Sequence, residues 1–269
     1  MFKDITLGQF FPGNSLIHRL DPRSKIIFII LYIIFIFSIK NIAAYILIAL
    51  FILLCSFVSK IPFKFMIKGL RPVLFFIVLT AVFNLFLTPG KVIFKLGFAT
   101  ITYEGIRMAA FMILRLFFLI LGTSLLTLTT SPIVLTDGIE QLISPLKKIG
   151  VPSHEIAMMM TIALRFIPTL LEETDKIIKA QTARGADFES GNLIRRAKAM
   201  IPILIPLFMS AFRRADELAI AMECRCYHGG EGRTKLKALK FERIDLYALI
   251  FMLIFGAAVI SFNFTSFII

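Results

Sequence analysis

The stretch IIFIILYIIFIFSIK, residues 26–40, is almost entirely apolar. A helix that crosses the hydrocarbon core of a bilayer needs about 20 mainly apolar residues, within a range of roughly 17 to 25. This run reaches that length when Lys25 and Asn41 extend it. The rest of the chain agrees, because 58% of its 269 residues are hydrophobic and its mean hydropathy is +0.87, both well above soluble proteins. The sequence therefore predicts a membrane protein.

Other apolar runs decide how many helices cross the membrane. Four are long enough to span it, at residues 42–59, 72–88, 106–130 and 245–267. Two shorter runs, 156–171 and 199–212, would give helices only about 21 to 24 Å long. We interpret these two as interfacial or partner-packed helices, with re-entrant or full spans as the alternative. The predicted fold class is all-α, a polytopic membrane protein with about five transmembrane helices and a cytoplasmic domain of long amphipathic helices.

Basic residues predict the orientation. Residues 1–25, 59–71 and 131–244 carry 4, 4 and 17 of the 30 Lys and Arg residues. Cytoplasmic segments are enriched in these residues, so all three segments are assigned to the cytoplasm. This assignment fits an odd number of spans, with the uncharged tail SFNFTSFII outside. The predicted domains are a cytoplasmic N-terminal segment (1–25), a membrane domain of about four spans (26–130), a cytoplasmic or interfacial domain (131–244) and a last transmembrane helix (245–269).

Charge and cysteine content narrow the possible ligands. The net charge of +13 would suggest nucleic-acid binding in a soluble chain, but here the charges lie between apolar runs. No nucleic-acid partner is expected. Cys55 lies in an apolar run, and Cys224 and Cys226 lack a second pair that would complete a metal site. No metal site is expected either.

An internal repeat ends two long helices. The first is predicted at about 152–183 with an interruption at Pro168, and the second at about 192–225, where it contains Pro202 and Pro206. The segment TDKIIKAQTARGA (174–186) aligns with ADELAIAMECRCY (215–227) at a constant offset of 41 residues, without a gap. We call residues 181–187 the first tip and residues 222–228 the second tip. The alignment superimposes Asp175 on Asp216 and Arg184 on Arg225, each arginine nine residues after its aspartate. A cation is favoured at a helix C-terminus, and small neighbours allow another backbone to approach.

The repeated arginine predicts a docking surface. A guanidinium can bind a carboxylate or backbone carbonyls through two parallel hydrogen bonds, and it stays charged when desolvated. The alternative is that each arginine caps its own helix. Two similar tips imply two similar receptors, so we expect a cytoplasmic partner that is a dimer or pseudo-dimer of related subunits.

These residues resemble the transmembrane T component of energy-coupling factor (ECF) transporters, ATP-binding-cassette importers of vitamins and metal ions. The signature of that family is a pair of Ala-Arg-Gly motifs. Ala183-Arg184-Gly185 matches it fully, whereas Cys224-Arg225-Cys226 keeps the arginine and replaces both small neighbours. Further similar stretches are SLIHRLDPRSK (15–25), LISPLKKIGVP (142–152), ALRFIPTLLEETDKI (163–177) and ADELAIAME (215–223).

The resemblance implies a non-catalytic scaffold in the plasma membrane of a bacterium or archaeon. Its cytoplasmic coupling helices would seat Arg184 and Arg225 on two ATPase subunits, with Asp175 and Asp216 in support. A separate substrate-binding S component would pack on its apolar surface. The chain itself would bind no cofactor, since ATP and Mg²⁺ are used by the partner ATPases.

Methionines mark a candidate contact with the S component. Six of the eleven methionines fall in the two long helices, at Met158, Met159, Met160, Met200, Met209 and Met222. Unbranched thioether side chains repack against differently shaped surfaces, as a partner shared by several S components would require. Core filling or lipid contact is the alternative.

Polar residues near the membrane have structural interpretations. His18 precedes the first span, where Asp21 is expected to pair with a nearby arginine and Pro22 to start the helix. Arg115 lies about 12 Å along the fourth span from Arg107, where an ionisable group is costly unless it pairs or snorkels to the surface. His154 and Glu155 are expected to be polar residues at a helix start rather than metal ligands.

Two other function classes fit the sequence less well. A stand-alone secondary transporter or channel should carry polar residues near the centres of its spans, yet these spans are nearly all Ile, Leu and Phe. An intramembrane lipid-modifying enzyme should carry acidic metal-binding motifs, which the sequence lacks, as it lacks a phosphate-binding loop and an H-E-x-x-H motif.

Overall fold

The computed structural model describes residues 10–42, 44–96, 99–188, 192–230 and 239–265. Residues 1–9 and 231–238 of the predicted cytoplasmic segments, and residues 266–267 of the last predicted span, lie outside these ranges. The chain divides into two compact units. We call the described residues between Gly8 and Gly138 and between Leu239 and Ile269 the bundle unit. The described residues between Ile139 and Ala238 form the tip unit.

Helices dominate both units, which confirms the all-α class. In chain order the elements are α1 (Leu16–Arg19), α2 (Pro22–Ser38), α3 (Ala44–Ser59), α4 (Phe63–Lys68), α5 (Leu74–Leu87), β1 (Val92–Leu96), β2 (Ala99–Thr102), α6 (Tyr103–Thr129), α7 (Pro132–Ile143), a 3-10 helix (Ser144–Ile149), α8 (Ser153–Ala183), α9 (Leu193–Ala199), α10 (Ile201–Glu223) and α11 (Arg243–Thr265). Each predicted span contains one helix whose described ends lie within a few residues of the expected ones. The short antiparallel hairpin of β1 and β2 was not expected.

Among the described residues, three helices have the length and composition of a membrane span: Tyr103–Thr129, Ser153–Ala183 and Arg243–Asn263. Helices α3 and α5 are apolar but shorter. The run 156–171 is too short to cross by itself, but the structure continues its helix through polar residues to a length of 31 residues. Length therefore no longer argues against a full span there. The number of spans stays a prediction.

The core of the bundle unit lies where α2, α3, α6 and α11 meet. Ile36, Ile48, Leu121 and Val259 are almost completely buried there. The hydroxyl of Tyr32 donates to the carbonyl of Phe118 at 2.8 Å, so the one polar group of that buried ring is satisfied.

Two glycines let helices approach α2 closely. A side chain at Gly122 of α6 would meet the ring of Tyr32, and one at Gly256 of α11 would meet the ring of Phe35. The absence of a Cβ at these positions therefore sets how tightly the bundle packs.

The tip unit departs from two expectations. Helix α8 continues across Pro168, because a proline removes one backbone hydrogen bond while the turns on both sides persist. The helix expected at 192–225 is instead two helices, α9 and α10, that separate at Met200, just before the proline at position 202.

Candidate functional site

The first tip closes α8 with a Schellman motif. The amide of Ala186 donates to the carbonyl of Gln181 at 3.0 Å, and the amide of Gly185 donates to that of Thr182 at 2.9 Å. Gly185 has φ +87°, a left-handed conformation that costs glycine nothing. Arg184 is the last residue before the chain turns away from the helix axis.

The second tip closes α10 with the same motif. The amide of Tyr227 donates to the carbonyl of Met222 at 3.0 Å, and the amide of Cys226 donates to that of Glu223 at 2.8 Å. Cys226 has φ +55°, although it is not a glycine. Each bond lies 41 residues after its counterpart in the first tip. The sequence repeat is therefore a repeat of backbone geometry, with Arg225 in the place of Arg184.

Both guanidinium groups are available to a partner. Arg184 and Arg225 are exposed, and neither side chain makes a hydrogen bond or ion pair with the residues that the structure describes. In the last turn of each helix, backbone bonds already satisfy two of the carbonyls, those of Gln181 and Thr182 in the first tip and of Met222 and Glu223 in the second. Within the described ranges, neither arginine side chain caps its own helix.

The four residues that flank the arginines are also exposed: Ala183, Gly185, Cys224 and Cys226. Both cysteines are free thiols. Their side chains add bulk at the second tip without changing the path of the backbone.

The two aspartates of the repeat lie apart from the tips. Nine residues separate each from its arginine, which corresponds to about 14 Å along a helix and to the opposite helix face. Asp175 is half-buried and Asp216 is exposed. The structure does not bring either carboxylate to its arginine, so any support they give the tips is indirect.

An ion pair joins α8 and α10 at equivalent positions of the repeat. Arg214 Nη2 lies 3.0 Å from Glu173 Oε2, and the two residues are 41 positions apart, the offset of the repeat itself. Ser210 also donates a hydrogen bond to Glu173. This contact was not predicted from the sequence, although the alignment superimposes Glu172-Glu173 on Arg213-Arg214. The two helices that carry the tips therefore touch at the same position of each repeat.

The methionines lie on surfaces of α8 and α10 and at the break before α10. Met159, Met160, Met200 and Met209 are exposed, whereas Met158 and Met222 are half-buried. Helix α10 also exposes a stripe of large apolar side chains at helical spacing: Ile201, Leu204, Ile205, Phe208 and Phe212. A contiguous exposed apolar face of this kind marks contact with a partner or with lipid.

A network of buried polar groups lies at the start of α2. Pro22 is the first helical residue, and Asp21 caps the helix through the amide of Arg23 at 2.9 Å. The guanidinium of Arg23 binds both oxygens of Asp21 and lies 3.8 Å above the ring of Phe241. Burial raises the pKa of the Asp21 carboxyl, but the hydrogen bonds and charge of Arg23 outweigh it, so this pKa lies below its ordinary value. The expected pairing of Asp21 and helix start at Pro22 are confirmed.

The last helix of the bundle unit joins this network. Asp245, in the first turn of α11, accepts from the amide of Asp21 at 2.9 Å and from that of Glu242 at 2.9 Å. His18 bonds through its two ring nitrogens to Ser15 Oγ at 2.7 Å and to the carbonyl of Phe11 at 3.0 Å. The structural role expected of His18 is confirmed by these contacts.

The other polar residues for which the sequence suggested a structural role also contact nearby groups. Arg115 donates to the carbonyl of Ile39 at 3.3 Å, so its charge meets the C-terminal end of α2 rather than a carboxylate. Arg107 lies 5.8 Å from the ring of Phe111. His154 contacts Glu140 at 3.0 Å. Among the described residues, His, Cys, Asp and Glu form no group of three that could hold a metal ion.

Comparison with known proteins identifies the family of this chain. Residues 13–236 match the family described as CbiQ, cobalt transport protein. The chain belongs to this family.

Curated relatives cover nearly the whole chain. It is 58% identical over 267 residues to the energy-coupling factor transporter transmembrane protein EcfT of Ruminiclostridium cellulolyticum, covering 99% of this chain and 100% of that protein. The EcfT of Clostridium kluyveri is 60% identical over 250 residues, covering 92% and 93%. That of Bacillus subtilis is 48% identical over 258 residues, covering 96% and 97%. The resemblance to the T component of ECF transporters is therefore confirmed.

Proposed function

We propose that this chain is the energy-coupling scaffold of an ATP-driven importer of vitamins or metal ions. It transmits motion from two cytoplasmic ATPase subunits to a separate substrate-binding S component. One observation carries the proposal: two exposed arginines, whose side chains have no partner among the described residues, stand on matching helix ends with the same backbone turn. The names of the relatives, which refer to energy coupling, support it.

The ion pair between α8 and α10 explains how two tips can act together. Because Glu173 and Arg214 join the helices at equivalent positions, a displacement of one tip is passed to the other helix through this contact. The apolar stripe of α10 would then carry the motion to the S component. The exposed methionines beside it would adapt to S components of different shape.

Catalysis belongs to the partners in this scheme. ATP and Mg²⁺ bind the ATPase subunits, and the tips lie in the cytoplasm with the N-terminal segment. This chain contributes binding surfaces and a rigid connection between them.

The test is a pull-down and a transport assay on one set of samples. The affinity-tagged chain, purified without crosslinker from its native host, is expected to bring two ATP-binding-cassette subunits and an S component with it. Proteoliposomes with the complete complex should take up the vitamin only with ATP. Lys148→Glu, at an exposed site of the tip unit outside the repeat, serves as the control charge reversal and should keep both properties. Substrate uptake by the chain alone would overturn the proposal in favour of a secondary transporter.

A further inference from the structure

The bundle unit contains a cavity of about 380 Å³. Helices α1, α2, α3, α6 and α11 all contribute to its wall, with side chains such as Phe28, Leu54, Leu126, Ala248 and Phe251. Its size falls within the range of small-ligand sites, roughly 300 to 1,000 Å³. The activity proposed above gives this cavity no role.

Three polar groups that line the cavity, those of Lys25, Thr129 and Tyr32, are already satisfied, and the exposed Tyr247 adds one further hydroxyl. The Lys25 ammonium has three protons, and it donates to the carbonyl of His18 at 3.2 Å, the carbonyl of Thr129 at 3.1 Å and the hydroxyl of Thr130 at 3.0 Å. The hydroxyl of Thr129 donates to a backbone carbonyl of α6 at 2.7 Å, and that of Tyr32 to another at 2.8 Å. A polar ligand would find few donors or acceptors to meet it there. The chemistry of the wall therefore favours a hydrocarbon occupant.

Two cations lie beside the lining residues. Arg19 stands between Ile17 and Leu20 in the sequence, and both of these line the cavity. Arg243 directly precedes another lining residue, Ile244. Both arginines are exposed, and neither side chain has a partner among the described residues. Arg23, in contrast, is fully engaged by Asp21 and Phe241.

We propose that this cavity binds one anionic phospholipid of the surrounding bilayer. An acyl chain fills the apolar space, and the phosphate lies near Arg19 and Arg243. An apolar cavity of this kind does not hold water well, whereas lipid is present around any membrane protein. A vitamin would require unpaired polar groups in the wall to fix its orientation, and the wall offers almost none.

Native mass spectrometry of the full chain in mild detergent tests this proposal. The delipidated chain is titrated with phosphatidylglycerol or phosphatidylcholine of equal acyl length. We expect one phosphatidylglycerol per chain, bound more tightly than phosphatidylcholine. Arg19→Gln with Arg243→Gln should weaken phosphatidylglycerol binding on the order of 30-fold, since each arginine near an anionic headgroup contributes about fivefold. Arg71→Gln, at another exposed cation of the bundle unit, should leave it unchanged.

A second pair of variants tests the cavity itself. Ala248→Phe fills the space and should remove the bound lipid, whereas Leu246→Phe, on the same helix at a residue that is 58% exposed and does not line the cavity, should retain it. Leu126→Phe fills the cavity from α6 and replaces the first variant if that one does not purify.

Three results would overturn the proposal. The first is unchanged phosphatidylglycerol binding in the filled variants. The second is equal affinity for both lipids, unaffected by the arginine changes. The third is loss of S-component binding in the filled variants without loss of lipid, which would identify the occupant as a helix of the partner.

Discussion

The two tips share one backbone turn and differ in the residues that form it. Gly185 supplies the left-handed residue in the first tip, and Cys226 supplies it in the second. The hydrogen bonds around both residues agree within 0.1 Å. The repeated feature is therefore the backbone turn that carries an outward arginine. Small residues beside the arginine are one way to form this turn.

The two tips also differ in the conformational energy of their left-handed residue. A residue with a Cβ in the left-handed region costs roughly 1 to 2 kcal/mol relative to glycine. The second tip therefore holds its conformation against a strain that the first tip lacks. We expect the first tip to depend on its glycine and the second to tolerate change at Cys226.

The largest effect should follow from reversing both charges. Arg184→Glu with Arg225→Glu replaces two charge-assisted contacts with repulsion, so ATP-driven uptake should nearly disappear, while each single change gives a partial loss. The loss is measured as substrate uptake into proteoliposomes and as recovery of the ATPase subunits with the affinity-tagged chain. Normal uptake and normal copurification in the double variant would mean that the tips do not dock.

The second-largest loss of function should follow from Gly185→Val. A Cβ at Gly185 meets no atom within 4 Å, so the change acts through backbone conformation and not through a clash. With a β-branched side chain at positive φ, the turn should be destabilised by about 2 kcal/mol or more, weakening ATPase recovery. Cys226→Val is the matched change, and its additional cost should be smaller because the strain is already present. Equal losses in both variants would contradict the difference between the tips.

The contact between α8 and α10 should have an intermediate effect. Arg214→Glu replaces the ion pair, whose atoms lie 3.0 Å apart at side chains that are 36% and 26% exposed, with two like charges. The change should cost about 1 kcal/mol or less. Transport should fall more than ATPase binding does, because the tips remain while their connection weakens. Glu173→Arg added to Arg214→Glu restores opposite charges and should recover transport. Failure of this exchange to recover it would show that the pair has no role in coupling.

The exposed methionines should give a smaller, uneven effect. Replacing Met159, Met160, Met200 and Met209 with Ile keeps the surface apolar but stiffens it. If several S components share this chain, uptake of some vitamins should fall a few-fold more than that of others in competition assays. Equal uptake of every vitamin at unchanged protein level would contradict the shared-surface hypothesis.

The smallest expected effect is a gain. Cys226→Gly removes the strain of the second tip, but the greater freedom of glycine in the unfolded chain offsets part of the gain, so stability should rise by up to about 1 kcal/mol. The measurement is slower hydrogen exchange at the amides of position 226 and of Tyr227. Transport should stay near its original level. Faster exchange after this change would mean that the cysteine stabilises the turn through contacts of its own.

Sequence patterns predicted the helices of the bundle unit well because apolar runs of this length have few alternatives in a membrane. They also predicted that Asp21 pairs with an arginine, since its partner Arg23 is two residues away. The repeat predicted which residues form the tips. These predictions rest on signals that are local in the sequence.

Contacts between distant elements were not predictable in the same way. Asp245 binds the amide of Asp21 across 224 residues, and no local pattern marks that pair. The pairing of Glu173 with Arg214 depends on where two helices cross, although the offset of 41 residues carried a signal. The left-handed Cys226 was missed because residue propensity places glycine or asparagine in such a turn.

The bond from Asp21 to Asp245 has a consequence for biogenesis. The ribosome makes Asp21, at the start of α2, before it makes Asp245. Another 224 residues must be synthesised before the acceptor of this bond exists. At about 5 to 20 residues per second, this interval is on the order of 10 to 45 s. Throughout it, the amide of Asp21 lacks the acceptor that it has in the finished protein. A nascent chain that stops before α11 therefore lacks this contact between the start of α2 and the last helix.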